Sequence, residues 1–236
     1  MVATLAEIIE KAKSQQNEQP RRRVIADWTM EEMMELVTIY GKGICPDFRI
    51  DDGNRGLYEQ LVYWTVGSPK MRCLDPLTRN PMQGDLSKGI YIGGKTGRGK
   101  SVALKVLRRL YDMNPLIRRD HFGNIRLVGG WVEKRADEIT DIYSAEGNIT
   151  DLKNEPLICI QDFGSEPQES LYMGNRVNVM RSLIESRGDM QCLTMISSNI
   201  PMGHQYLQQR YGDRVQSRLY AMCNYLELDG EDRRRQ

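Results

Sequence analysis

The sequence predicts an α/β fold, in which a parallel five-stranded sheet is flanked by helices and preceded by a small helical region. Three observations predict it. Short apolar runs alternate with helical stretches from residue 86 onward, as in strand–helix–strand units. A glycine-rich loop joins the first of these runs to a helix. Over residues 1–85 the apolar residues instead recur at helical spacing, so we predict a separate helical region there.

Three helices are predicted within residues 1–85. A threonine followed three positions later by a glutamate, at Thr29 and Glu32, is typical of a helix N-terminus. Residues 68–85 are rich in proline and glycine, so we expect a loop that marks the boundary between residues 1–85 and 86–236. The apolar positions that define the three helices are Leu5, Ile8, Ile9 and Ala12, then Met33, Leu36, Val37 and Tyr40, then Leu57, Tyr58, Leu61, Val62 and Thr65.

Five apolar runs are predicted as the strands of the sheet. Helices are expected between them, most clearly over residues 100–111 and 177–187. Ligands bind such sheets at the carboxyl ends of the strands, so polar residues directly after the runs form the candidate site. The runs are GIYIG at 89–93, IRLVGG at 125–130, LICI at 157–160, LTMISS at 193–198 and YLEL at 225–228.

The composition is that of an ordinary globular protein. Across 236 residues, 33 lysines and arginines balance 32 acids, and the formal net charge of +1 is no argument for nucleic-acid binding. Five cysteines without a CxxC pair, together with two histidines, argue against a zinc site and fit a reducing compartment. No apolar run is long enough for a membrane helix, so we expect a cytoplasmic protein that contacts no membrane.

Residues 94–101 match the phosphate-binding motif G-x-x-x-x-G-K-[ST] without a mismatch. Glycines allow backbone N–H groups to curl around phosphate oxygens, and the start of the following helix adds positive potential. The lysine and serine of this motif bind the β- and γ-phosphates and a magnesium ion, so the motif predicts ATP and Mg²⁺ as ligands. The predicted binding residues are Gly94, Lys95, Thr96, Gly97, Arg98, Gly99, Lys100 and Ser101, of which Ser101 is also a predicted metal ligand.

The run at 157–160 is followed by Gln161 and Asp162, the position at which ATPases of this type carry an acidic pair. We predict Asp162 as the acid at the metal ion or its water, because Gln161 has no charge to offer. Adjacent strand residues point to opposite faces, so both reach the phosphates only if the strand bends, which Gly164 permits. A strand-end aspartate that caps a turn is the alternative.

Further polar residues are candidates for the site. Asn199 follows the run at 193–198, where it would orient water or touch the γ-phosphate; a turn-forming asparagine is the alternative. Arg214 and Arg218 lie one helical turn apart, and a guanidinium suits the phosphate charge of a transition state. An exposed amphipathic helix would also explain them. Arg234 either folds back on the nucleotide or belongs to a basic tail.

Taken in order, GIYIGGKTGRGKS, ICIQDFGSE, TMISSNIP, YGDRVQSRLY and LELDGEDRR resemble the AAA+ ATPases that load bacterial replicative helicases, DnaC and DnaI, and the transposition helper IstB. The resemblance covers about residues 86–236 and implies an AAA+ core. It also implies roles for the candidate residues. They are Lys100 and Ser101 in Walker A, Gln161 and Asp162 in Walker B, Asn199 as sensor 1, Arg218 as the arginine finger and Arg234 as sensor 2.

The resemblance implies an ATPase that delivers a replicative helicase to single-stranded DNA under ATP control. Self-association through the ATP site would bring Arg218 to the nucleotide of a neighbouring copy, and residues 1–85 would bind the helicase. Gln161 stands where the family usually has aspartate, which implies slow hydrolysis. The alternatives are a transposition helper that acts on duplex DNA with a transposase, a small-molecule kinase with a lid at 132–154, and a nucleotide-binding protein without hydrolysis.

Overall fold

In a computed structural model of the chain, helices and strands alternate along the described residues, which confirms the α/β fold class. The helices are α1 Met30–Ile44, α2 Arg55–Val66, α3 Lys100–Met113, α4 Ala136–Glu146, α5 Thr150–Asn154, α6 Val179–Asp189, α7 Gln205–Tyr211 and α8 Asp213–Met222. The strands are β1 Arg72–Leu74, β2 Pro81–Gln83, β3 Gly89–Gly93, β4 Ile117–Arg119, β5 Ile125–Leu127, β6 Val132–Arg135, β7 Leu157–Phe163, β8 Ser170–Tyr172, β9 Asn175–Val177, β10 Leu193–Ser198 and β11 Cys223–Glu227. The structure describes residues 4–7, 9–10, 25, 27–119, 125–127, 130–230 and 232–233.

A seven-stranded sheet forms the centre of the molecule, in the order β2-β1-β11-β3-β10-β7-β6. The five strands from β11 to β6 run parallel, as predicted, and β3 pairs with β11 on one side and with β10 on the other. Four of the five, β3, β7, β10 and β11, coincide with predicted runs. Because these strands are parallel, their carboxyl ends meet at one edge of the sheet, where a ligand site is expected.

The fifth parallel strand is not the predicted one. Val132–Arg135 pairs with β7 as β6, whereas Ile125–Leu127 pairs with Ile117–Arg119 in a separate antiparallel hairpin. The apolar run at 125–130 was the stronger signal, but β6 lies at the sheet edge with side chains that are only partly buried, so the polar sequence VEKR is stable there. In the stretch 132–154, where the alternative of a small-molecule kinase would have its lid, Val132–Arg135 is strand β6 of the central sheet, and α4 and α5 follow it.

Residues 68–85 contain strands rather than the expected loop. β1 and β2 form an antiparallel hairpin, and Leu74 of β1 pairs with Tyr225 of β11, so the hairpin extends the sheet. β2 is an exposed strand that begins at Pro81, a position at which proline disturbs no ladder hydrogen bond. Pro81, together with Asn80 and Gln83, breaks the apolar pattern by which a strand is predicted from the sequence.

The N-terminal helices α1 and α2 pack on α3, and their apolar faces join the core on that side of the sheet. The predicted capping box of α1 is confirmed. The Glu32 amide donates to Thr29 Oγ1 at 3.2 Å, and the Thr29 amide donates to Glu32 Oε2 at 2.8 Å. Of the first predicted helix, residues 5–7 and 9–10 are helical, whereas Ile8 and Ala12 lie outside the described residues. A functional division at residue 85 stays a prediction.

Hydrophobic clusters cover both faces of the sheet. Ile90 and Ile92 of β3 belong to the cluster of α1, α2 and α3, whereas Tyr91 belongs to the cluster of α4, α6, α7 and α8. This alternation is the two-residue repeat of a strand with both faces buried, and it explains why β3 reads as an unbroken apolar run. Among the described residues, no helix is long and apolar enough to cross a membrane.

Candidate functional site

Residues 94–99 form the turn between β3 and α3, the strand–loop–helix context that the motif predicts. Gly97 and Gly99 have φ angles of 81° and 95°, in the left-handed region that favours glycine. A Cβ atom on Gly97 would lie 2.0 Å from Asp232 Oδ1, so a side chain there would clash with the Asp232 carboxylate. The loop therefore allows an anion to approach its backbone amides closely at the start of a helix.

Lys100, the first residue of α3, is 6% exposed, and its ammonium group lies inside the loop. Its Nζ donates to the carbonyl oxygens of Gly94 at 2.7 Å and Lys95 at 2.9 Å, and to Asn199 Oδ1 at 2.7 Å. Asn199 directly follows β10, the strand next to β3. Two predicted site residues, one at the start of α3 and one directly after β10, are thus in contact. A phosphate oxygen binds an ammonium group more strongly than a neutral carbonyl does, so a bound phosphate can replace these partners.

Asp162 lies near the end of β7 and lines the same cavity as Ser101. Its φ of 56° bends the chain there, and its amide donates to Ser197 Oγ at 3.1 Å. Its carboxylate forms an ion pair with Arg135 at the end of β6, with Oδ2 and Nη1 3.2 Å apart. Because the chain bends at Asp162, this residue reaches the sheet edge that holds residues 94–99, the predicted phosphate loop.

Gln161 is buried between neighbouring strands of the sheet. Its Oε1 accepts from Ser197 Oγ of β10 at 2.6 Å, and its Nε2 donates to Glu133 Oε1 of β6 at 3.3 Å. A carboxylate at position 161 would face the carboxylate of Glu133, and two like charges at this distance repel each other. The neutral amide therefore suits this place better than a carboxylate would.

Magnesium prefers oxygen ligands, and the cavity offers the Ser101 hydroxyl and the Asp162 carboxylate. Mg²⁺ at phosphate sites commonly uses one or two carboxylates together with phosphate oxygens and water, so this pair fits such a site. In the part of the chain that the structure describes, no group of three acidic, histidine or cysteine side chains forms a metal site of its own. The Asp162 carboxylate is paired with the Arg135 guanidinium through Oδ2, so a cation at Asp162 would compete with this ion pair.

The phosphate loop opens into a cavity of about 640 Å³, a size typical of small-molecule sites. Part of its wall comes from the N-terminal region: Cys45 follows α1, and the rings of Phe48 and Tyr58 meet edge to face at 5.4 Å. An aromatic pair beside a phosphate loop supplies apolar surface for a base. These residues were not predicted as site residues, because no local sequence motif marks such a wall.

The C-terminal segment also packs on the phosphate loop. The Arg233 amide donates to the Gly97 carbonyl at 3.0 Å, and Arg233 Nη2 donates to Asp51 Oδ1 at 2.6 Å. This side-chain hydrogen bond lowers the pKa of Asp51. Arg233 lines the cavity, whereas the predicted Arg234 lies outside the described residues.

Arg218 lines neither this cavity nor the groove next to it. It lies on α8 with its side chain 44% exposed, and it pairs with Asp189 at the end of α6. Val215 and Leu219 of the same helix are buried, as expected for an amphipathic helix. Within a single chain Arg218 is therefore not part of the site, and its role at the nucleotide of a neighbouring copy stays a prediction.

A groove of about 650 Å³, the basic groove, adjoins the cavity, and its five basic side chains stand beside four acidic ones. Ser101, Arg135 and Asp162 line both the groove and the cavity, so they stand where the two meet. The basic residues of the groove are Lys105, Arg108 and Arg109 from α3 and Lys134 and Arg135 from β6, and its acids are Asp112, Glu133, Glu138 and Asp162.

No protein-family model and no curated protein matches the chain. Solved structures do match it. A candidate primosome component from Streptococcus pyogenes serotype M3 aligns over 80% of this chain and 87% of its own, with 16% identity and a TM-score of 0.51. DnaI aligns over 84% of this chain and 92% of its own, with 16% identity and a TM-score of 0.51. The DnaC helicase loader aligns over 79% of this chain and 96% of its own, with 20% identity and a TM-score of 0.48.

Identities this low show a shared fold and leave activity to separate arguments. The structures of DnaI and of the streptococcal protein align with most of the chain, and they show that the chain shares their fold. The molecule is thus an α/β protein that shares the fold of DnaI, and the loop at 94–99, Asp162 and Asn199 lie together at the carboxyl edge of the parallel strands.

Proposed function

We propose that this chain binds ATP with Mg²⁺, hydrolyses it slowly and delivers a replicative helicase to single-stranded DNA. The observation that carries the nucleotide site is the contact of Lys100 Nζ with Asn199 Oδ1, inside a glycine loop at the start of α3. Loops of this kind bind phosphates through backbone amides, the lysine and the helix N-terminus. The helicase-loader role rests on the motif resemblance over residues 86–236 and on the fold shared with DnaI.

Each site residue has its own part in this proposal. The loop and Lys100 bind the β- and γ-phosphates, and the Ser101 hydroxyl and Asp162 carboxylate would hold Mg²⁺, which neutralises developing phosphate charge. Asn199 orients the attacking water or touches the terminal phosphate. Gln161 adds no second carboxylate and is engaged by Glu133, so turnover is slow.

Hydrolysis in this proposal depends on a second copy of the chain. Arg218 is exposed and lies outside its own cavity, so its guanidinium is available to a neighbour once it leaves Asp189. An arginine supplied in this way stabilises the charge of the transferring phosphoryl group. ATP would then hold an oligomer in the cytoplasm whose basic groove faces a nucleic-acid backbone, while residues 1–85 bind the helicase.

Calorimetry with ATP and ADP tests the nucleotide site. Wild-type protein should release heat with both nucleotides, and Lys100→Ala should lose this binding. Lys70→Ala, a change at an exposed lysine before β1, is the control and should bind as the wild type does. A folded wild-type protein that binds neither nucleotide contradicts the proposal.

Titration of labelled DNA tests the loader role against the transposition helper. A single strand and a duplex of equal length are titrated with the protein in ATP, in ADP and without nucleotide. We expect the single strand to bind about tenfold more tightly in ATP than in ADP, and more tightly than the duplex. A preference for the duplex would instead favour the transposition helper, with a transposase as its partner.

A further inference from the structure

Arg135 stands at the same edge of the sheet as the predicted phosphate site. It is the last residue of β6, and it lies opposite Gln161 in the parallel pairing with β7. Its side chain lines the cavity together with Lys100 and Asp162. No motif in the sequence marks this arginine. It lies in β6, whereas the fifth parallel strand was predicted at 125–130.

The partners of Arg135 are carboxylates on an open surface. Its Nη1 lies 3.2 Å from Asp162 Oδ2, and its Nε and Nη2 lie 3.0 and 3.1 Å from the two carboxylate oxygens of Asp137. The side chain is 51% exposed, and ion pairs in such a place are weak and exchange easily. A guanidinium prefers a phosphate to a solvated carboxylate, because its planar donors match phosphate oxygens in pairs.

The position of Arg135 fits the phosphate end of the cavity rather than the base end. Arg135, Ser101 and Asp162 line both the cavity and the basic groove, whereas the aromatic pair Phe48 and Tyr58 lines the cavity alone. The motif assigns Ser101 to the metal ion at the β- and γ-phosphates. Arg135 lies with Ser101 where the cavity meets the basic groove, so we expect Arg135 to lie near the γ-phosphate.

We propose that Arg135 binds the terminal phosphate of a nucleoside triphosphate held by its own chain, and that it makes the site prefer a triphosphate to a diphosphate. The inference rests on the proposed ATP site. When the phosphate enters, Arg135 exchanges Asp162 for phosphate oxygens, and this exchange releases the Asp162 carboxylate only when a triphosphate is bound. Unlike Arg218, Arg135 acts without a second copy of the chain.

The test compares affinities for a non-hydrolysable ATP analogue and for ADP, measured by calorimetry on dilute protein in EDTA and again with Mg²⁺. Arg135→Gln should weaken analogue binding about tenfold or more, the loss expected for charge-assisted hydrogen bonds, and ADP binding by less than about twofold. Arg135→Lys keeps the charge and should retain part of the preference. Arg181→Gln is the matched control, because Arg181 pairs with Glu185, is 49% exposed and lines neither the cavity nor the groove.

Two outcomes overturn the inference while the ATP site stands. Arg135→Gln would then bind both nucleotides as the wild type does, or lose both equally. Thermal unfolding of each variant separates a local change from misfolding, and Arg135→Lys decides the question if Arg135→Gln does not fold. Wild-type protein that binds neither nucleotide refutes the proposed function itself, so the two failures are distinguishable.

Discussion

Lys100 at the start of α3 and Asn199 directly after β10 meet with Nζ and Oδ1 2.7 Å apart. The contact follows from register: β10 pairs with β3 so that Ser198 lies opposite Gly93, and the residues after both strands start at the same level of the sheet edge. A phosphate that engages the Lys100 ammonium therefore changes the surroundings of Asn199 directly. This relationship connects the phosphate loop to the group proposed to orient water.

Asn199→Ala should separate binding from hydrolysis. Lys100 keeps the two loop carbonyls as partners, so we expect ATP affinity within about threefold of the wild type, and hydrolysis slower by about 10- to 100-fold. Calorimetry gives the affinity, and a phosphate-release assay gives the rate. Asn80→Ala, in an exposed turn, is the control. An unchanged rate of phosphate release would show that Asn199 has no part in the reaction.

Arg218→Ala should bind ATP normally and lose hydrolysis, because Arg218 lines neither the cavity nor the groove described above. A mixture of two inactive variants tests the assignment of Arg218 more sharply than the single variant does. Arg218→Ala protein can bind nucleotide, and Lys100→Ala protein still carries the arginine. Both should be inactive alone, and an equal mixture should regain about a quarter of the sites if subunits assemble at random. Arg214→Ala, one turn earlier on α8, is the control.

A mixture that stays inactive, although both variants assemble, would contradict an arginine supplied by the neighbour. Activity in Arg218→Ala alone would refute the assignment of Arg218 outright. Sedimentation in ATP and in ADP shows whether the variants still assemble, so a failure of assembly is not mistaken for a failure of chemistry.

The buried strands were predictable from the sequence because both of their faces pack against helices. β3, β7, β10 and β11 read as apolar runs for this reason. β6 and the β1–β2 hairpin were not predictable in this way, because strands at or near a sheet edge tolerate lysine, glutamate and proline. Their stability comes from pairing with a neighbouring strand that the sequence does not identify.

The site residues likewise fall into two groups, those that the sequence predicted and those that it did not. Residues 94–101 were found by a local motif, and Asp162 and Asn199 by their place directly after a strand. Phe48, Arg135 and Arg233 were missed because their contacts join distant parts of the chain. Arg233 meets Asp51 across 182 residues, and no pattern in the sequence indicates that pair.

Gln161→Glu should destabilise the fold, although it restores an acid to the second strand of the site. The new carboxylate would stand about as far from Glu133 Oε1 as the amide does now, 3.3 Å, in a buried place. We expect a loss of about 1–3 kcal/mol in the free energy of unfolding, measured in urea near neutral pH. Repulsion raises the pKa of the new carboxyl group at position 161 in the folded state, so the loss is present above that pKa and fades as pH falls through it.

The exchange variant Gln161→Glu with Glu133→Gln is the control for this prediction. It keeps one amide and one carboxylate in contact and only swaps their strands, so stability should return. It also places a carboxylate at position 161, next to Asp162 in the sequence, and an amide at position 133 in place of the repelling carboxylate. ATP turnover should therefore rise above that of the wild type. A double variant as unstable as the single one would show that Glu133 is not the cause.

Alkylation of Cys45 should report nucleotide binding. Cys45 and Cys192 are both partly buried, but only Cys45 lines the cavity. The thiols of Cys73, Cys159 and Cys223 are buried, and burial raises the pKa of Cys223 to about 12, which leaves almost no reactive thiolate near neutral pH. We expect iodoacetamide to label Cys45 and Cys192 in the native protein, and saturating ATP to slow labelling of Cys45 alone by about tenfold.

Mass spectrometry of peptides after timed labelling measures both sites in one sample, so Cys192 is an internal control. Lys100→Ala should label at Cys45 equally fast with and without ATP, because it has lost the lysine that binds phosphate. Equal protection of Cys45 and Cys192 would mean that ATP tightens the whole fold without covering this wall. Protection of Cys45 alone would place the nucleotide against residues from the N-terminal region, which would then take part directly in ATP binding as well as in the proposed contact with a helicase.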